Sequence, residues 1–258
     1  MEKFDLIYKK VTAGKIEKIP KMGYDNQVSS IKIRKGTDMN NIKKQVYEAN
    51  LLLPKYGLVV GTQGNVSVID RNKGIVYIKP SGVPYEKMKL TDIVGIDING
   101  HVIEGKLKPS VDWIHHVFLY AHIKQVQSIV HTHSPYATAF AASGIPVPCL
   151  STGQADIFGG EIPVTDYVDN RSDSIGKEIL KHKRDGCPAI ILGKHGVFTF
   201  DATAEKAVFA ALMTEYFAKI NLFAILLGKT KGRNVEPMAL SEIEKWYKRY
   251  HGGGYGQK

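Results

Sequence analysis

The chain has 258 residues, enough for one large domain or two small ones around a substantial core. Its 43% hydrophobic and 23% charged residues are those of an ordinary soluble globular protein. Lys and Arg number 35 against 25 Asp and Glu, a net charge of +10, but the lysines are spread along the whole chain with no arginine-rich run or RNA-binding signature. That pattern argues against nucleic acid and for a basic surface serving a phosphorylated substrate.

Residues 1–38 form an N-terminal extension in which Gly14, Pro20, Gly23 and Gly36 break a lysine-rich run of little periodicity, so it is expected to be irregular. No apolar signal-peptide core follows Met1, and a cytoplasmic location is expected. Residues 39–258 make the second part. Asn40 and Asn41 offer N-caps to a helix with Ile42, Val46, Ala49, Leu52 and Leu53 on one side, ending before Pro54. Residues 65–70 and 74–79 predict a hairpin. Residues 93–97 and 102–103 predict another pair of strands around the turn signal Asn99-Gly100.

A helix over 112–123, a strand over 128–133 and a short helix over 136–142 follow. Residues 173–184 read as a helix with Gly186 beyond it, 189–192 and 197–200 as buried strands, and 204–227 as a long helix. Glu215, Lys219 and Asn221 interrupt the apolar stretch of that helix, which therefore reads as amphipathic and buried, not as a membrane span. A last helix over 241–250 precedes the glycine-rich tail. Cys149 and Cys187 stand far apart without a CxxC, which excludes a disulfide framework and leaves two buried small side chains. No repeat or linker divides the chain. The expected fold is α/β, a single three-layer αβα domain with a largely antiparallel central sheet covered by helices.

His131 and His133 stand one residue apart at the end of a β-branched run. The side-chain period of a strand is two, so both imidazoles project from one face and supply half of a tetrahedral metal site. His195, in Gly193-Lys194-His195-Gly196, is the candidate third ligand. Three histidines leave a coordination position open, as a catalytic site requires. Two further segments offer donors for a phosphate: Gly64-Asn65-Val66-Ser67 before a strand, and Lys79-Pro80-Ser81-Gly82 after one. Neither has the Walker pattern, so a nucleotide is not indicated.

These segments, with Pro109-Ser110-Val111-Asp112, His131-Thr132-His133-Ser134 and Lys194-His195-Gly196, occur in the order seen in the class II aldolase superfamily. The chain resembles the L-ribulose-5-phosphate 4-epimerase branch of that superfamily from about Met39 to Lys258, down to the ending Tyr255-Gly256-Gln257. The resemblance implies that His131, His133 and His195 bind one divalent metal per subunit, zinc with manganese or cobalt as alternatives, with Asp112 beside it. It implies a phosphate seat of Asn65, Lys79, Ser81, Gly82 and Ser110. It makes Asp156 and Tyr255 the acid/base pair, with Tyr255 reaching a neighbouring subunit's site in a homotetramer. The implied substrate is a phosphorylated keto-pentose.

Three positions depart from the branch pattern: Val111 replaces a second serine, Gln154 a histidine, and Trp246 a histidine common in the last helix. A sugar-phosphate aldolase of the same superfamily, resembling L-fuculose-phosphate aldolase, is the alternative activity. A non-catalytic scaffold like the adducin head is the alternative class, and it would have no need of three histidines.

Overall fold

The computed structural model describes residues 39–253. The N-terminal extension and Tyr255 lie outside the described residues. Among the described residues, seven strands form one sheet in the order β4-β3-β2-β1-β5-β7-β6, with every ladder between neighbours antiparallel. They are β1 (Asn65–Asp70), β2 (Ile75–Ile78), β3 (Val94–Ile96), β4 (Val102–Glu104), β5 (Ser128–Thr132), β6 (Ala189–Leu192) and β7 (Gly196–Asp201). The helices are α1 (Met39–Lys55), α2 (Trp113–His122), α3 (Pro135–Ser143), α4 (Thr152–Phe158), α5 (Ser174–His182), α6 (Ala204–Thr230) and α7 (Leu240–His251).

Strand alternation sorts the core into two layers. Ile69, Ile78, Ile96, Ile129 and Phe198 pack with Leu119 and Tyr120 of α2 and Ile175 and Ile179 of α5 on one face. Val66, Val68, Tyr77 and Val130 meet Val46 and Leu53 of α1 and Ala207 and Ala211 of α6 on the other. The three-layer αβα arrangement is the expected one.

Three details differ from the sequence reading. Helix α1 is already under way at Met39, ahead of the proposed caps, and runs through Pro54 to Lys55. Gly57, at φ +67, follows its end. His133 lies just past the end of β5, not within it. Residues 152–158 form a short helix, α4, between Ser151 and the left-handed Gly159. By length and composition alone, helix α6 is long and apolar enough to cross a membrane. Ala207, Val208 and Ala211 pack it on the sheet, and Thr214 and Asn221 are buried further along, whereas Leu226 and Leu227 near its end are exposed. Cys149 and Cys187 are free and buried.

Candidate active site

The site is built where β1, β5 and β7 lie side by side. In the β1–β5 register Asn65 stands opposite His131, and in the β5–β7 register His131 stands opposite Phe198. Strand β6 turns into β7 through Gly193-Lys194-His195, with His195 N–H donating to Leu192 O at 3.0 Å. This tight turn delivers His195 to the end of the strand pair that carries His131. Room for three imidazoles depends on Gly196. A Cβ there would lie 2.5 Å from Thr132 O, 2.8 Å from His133 Cδ2 and 3.4 Å from His131 Cε1.

The three imidazoles converge. His131 Nε2 and His133 Nε2 are 2.9 Å apart, and one ring nitrogen from each of His131, His133 and His195 falls within a 4.8 Å group. Nitrogens bound at about 2.0 Å to one tetrahedral zinc stand roughly 3.3 Å from each other, so this spacing fits a single metal ion. Burial lowers the pKa of all three below the ordinary histidine value, His131 to about 4. Neutral imidazoles are the form that a cation needs. His131 Nδ1 is held 2.9 Å from Val197 O, which directs its Nε2 toward the cluster.

Asp112 sits at the N-terminal edge of α2, beside the triad. Burial opposes its ionisation, but the facing histidines and the Asn65 amide outweigh that and hold its carboxyl below the usual carboxylate range. Asn65 Nδ2 donates to Asp112 Oδ2 at 2.7 Å and to Ser110 Oγ at 3.0 Å. Both amide protons are thereby used within the chain, and Asn65 links Asp112 to Ser110. The signal for this role was the β1–β5 register, which a single sequence does not display.

The remaining expected phosphate residues are joined by an unusual pairing. Pro80 and Pro109 form an isolated antiparallel bridge, with Ser81 N–H donating to Lys108 O and Ser110 N–H to Lys79 O, each at 2.9 Å. Lys79, Ser81 and Gly82 thus face Ser110 across one gap. Lys79 is 1% exposed. Its ammonium donates to Thr62 O at 3.2 Å and Pro80 O at 3.4 Å and lies 4.7 Å from the Tyr85 ring centroid. Burial lowers its pKa to about 8.

One cavity of about 330 Å³ is lined by Lys79, Ser81, Gly82, Asn65 and Ser110 together with Asp112, His131, His133 and His195. Val111 also lines it, at 69% exposure, so the departure from serine places a methyl-bearing side chain at the mouth. The structure adds Asn170, from the loop before α5, which the sequence reading gave no role. Behind Asp112, His115 and His116 are buried on α2. His116 Nδ1 lies 2.7 Å from Ser67 Oγ, which in turn lies 2.7 Å from Tyr120 OH. Their positions three and four residues after Asp112 on one helix face were the available signal.

Asp156 is not brought to this cavity. It sits on α4, half-buried, with Oδ1 enclosed and without a hydrogen-bond partner. Gln154, on the same helix, is fully buried. Its Nε2 donates to Val147 O at 3.2 Å and Gly160 O at 3.4 Å, and its Oε1 accepts from Asn221 Nδ2 at 2.9 Å. This departure ties α4 to its neighbours and does not line the cavity. Trp246 packs from α7 against the Cys149, Ala155 and Ile243 cluster.

Residues 44–222 match the family model described as class II aldolase and adducin N-terminal domain. The chain belongs to this family. Among solved structures, it is similar to an L-fuculose 1-phosphate aldolase at 27% identity and TM-score 0.72, over 85% of this chain and 99% of that one. Two others share the fold at lower identity. One is L-fuculose 1-phosphate aldolase from Glaciozyma antarctica PI12, at 22% identity and TM-score 0.68, covering 84% and 86% of the two chains. The other is an aldolase II superfamily protein from Pseudomonas syringae, at 18% identity and TM-score 0.72, covering 86% and 89%. Membership of this class II aldolase family accounts for the seven-stranded sheet and its covering helices.

Proposed function

We propose that this class II aldolase-family chain is a metal-dependent L-ribulose-5-phosphate 4-epimerase. The observation that carries the chemistry is a cavity joining a buried lysine, which has no acidic partner among the described residues, to three neutral imidazoles and an ionised aspartate. His131, His133 and His195, with Asp112 beside them, would hold a divalent cation, which would supply Lewis-acid charge for the developing oxyanion. Zinc suits three imidazoles, and manganese or cobalt are alternatives.

At the other end, Lys79, the Ser81 and Ser110 hydroxyls and the backbone at Gly82 receive the phosphate of a keto-pentose, with Asn65 aligning Ser110. C4 of such a sugar is not adjacent to its carbonyl, so simple deprotonation does not invert it. Cleavage of the C3–C4 bond and its re-formation on the aldehyde's other face does. The phosphate seat keeps the two-carbon fragment bound through that turn. Asp156 and Tyr255 exchange the proton of the C4 hydroxyl from opposite sides. Because Asp156 lies off the cavity of its own chain, a neighbouring copy in a homotetramer supplies it and Tyr255.

The second reading is a sugar-phosphate lyase, favoured by the 27% identity to an L-fuculose 1-phosphate aldolase. Both readings share every group in the cavity and differ in whether the fragments leave. Following L-ribulose 5-phosphate by NMR separates them. The epimerase yields D-xylulose 5-phosphate with no free fragments. Dihydroxyacetone and glycolaldehyde phosphate appearing at the rate of substrate loss would establish the lyase.

A further inference from the structure

Helix α3 begins two residues after His133, so whatever fixes its first turn also fixes how the chain leaves the metal-binding strand. The first N–H groups of a helix have no partner within it. Ser134 occupies the N-cap position, where serine usually fills the gap. Here its side chain makes no cap bond and its hydroxyl is buried without a partner.

The gap is filled from another helix. Glu215, midway along α6, accepts Tyr136 N–H on Oε1 at 3.0 Å and Ala137 N–H on Oε2 at 2.9 Å. A carboxylate at this end is further favoured by the helix dipole. The same ridge of α6 continues the contact. Lys219 Nζ lies 5.2 Å from the Tyr136 ring centroid, and the Phe223 ring lies 6.1 Å from it.

The far end of α3 meets the other metal arm. Lys194, the residue before His195, donates its N–H to Ala141 O at 2.8 Å and holds a left-handed φ of 59°. Helix α3 is therefore a strut between the two arms. It is joined to His133 by the chain, braced against the His195 turn by a hydrogen bond, and anchored to the body of the domain by Glu215.

We propose that Glu215 is a positioning residue of the metal centre, setting the separation of His133 and His195 by clamping the strut between them. The Glu215→Gln side chain keeps the shape but has one acceptor and turns an NH2 group toward the second backbone N–H. The test is competition for Co²⁺ and Zn²⁺ against a chromophoric chelator, with the visible spectrum of the Co²⁺ protein as a second readout.

Glu215→Gln is expected to weaken both metals about 10-fold, the lower end of the effect of groups that orient ligands, and to shift the Co²⁺ bands. Glu215→Asp, too short to reach both N–H groups, should fall between it and wild type. The control is Thr214→Val, which loses the buried bond from Thr214 Oγ1 to Ala210 O, a contact within α6, and should bind metal normally. Wild-type affinity and spectrum in either Glu215 variant, or an equal loss of affinity in Thr214→Val, would overturn the proposal.

Discussion

The Nδ1 atom of His131 lies 2.9 Å from the carbonyl oxygen of Val197, so β7 decides which nitrogen of a β5 histidine faces the cavity. With Nδ1 occupied as donor, Nε2 keeps its lone pair toward His133 and His195. On the proposed reading, His131→Asn removes one of three metal ligands. Metal affinity should fall by more than about 100-fold, beyond the range for outer groups. Elemental analysis should find almost no metal in the purified variant, and the rise in Tm on adding zinc to stripped protein should vanish. A full metal complement would refute the assignment.

Lys79 yields a pH prediction with a definite sign. Its pKa in the fold, about 8, lies below its unfolded value of 10.5 because burial disfavours the charge. Between those values the unfolded chain holds more protons, so the empty protein gains stability from this group as pH rises from 8 toward 10.5. Anion binding runs the other way, since the ammonium must be charged. Inorganic phosphate should raise Tm at pH 7, and the increment should fade as pH passes 8. Lys79→Met should remove the increment at every pH and, by burying no charge, raise the Tm of the empty protein at pH 7. Thermal scans with and without phosphate across pH 6.5 to about 9.5 check both.

The Asn65–Asp112 contact of 2.7 Å predicts a loss in rate without loss of phosphate binding. Asp112→Asn removes the charge, and either sets two NH2 groups against each other or turns its own amide to present oxygen. Turnover should fall by about 100-fold or more, as for removal of a catalytic carboxylate. The phosphate-induced rise in Tm should persist. A variant that keeps its rate would demote Asp112 to a structural N-terminal residue of α2.

The convergence of His131, His133 and His195 was legible because its logic is local: a strand end, one intervening residue and a tight turn between two apolar runs. The layered α/β fold was legible for the same reason, from periodicity alone. The pairing of Pro80 with Pro109 was not, because prolines argue against strand pairing and the two lie far apart in sequence. Helix α4 was missed because seven residues give too short a window for a periodic signal, so the setting of Asp156 was unread. Glu215 looked like an interruption of an apolar helix. Its purpose is visible only once α6 lies against the start of α3.

If Asp156 acts in the reaction, its separation from the histidine cavity requires a site shared between copies, and subunit mixing tests this. On the proposed reading, His131→Asn destroys the metal half of a site and Asp156→Asn the proton-transfer half contributed by a neighbour. Each variant alone should be nearly inactive as an epimerase. Unfolded together and refolded as mixed oligomers, they should regain activity, because some interfaces pair an intact metal half with an intact Asp156. With random mixing at equal amounts and one site per interface, about a quarter of sites are whole, and activity should approach that fraction. If both halves of a site came from one chain, every site would carry one lesion and mixing would restore nothing. If Asp156→Asn alone retains full activity, Asp156 has no part in the reaction, and the proton transfer must be assigned to another group.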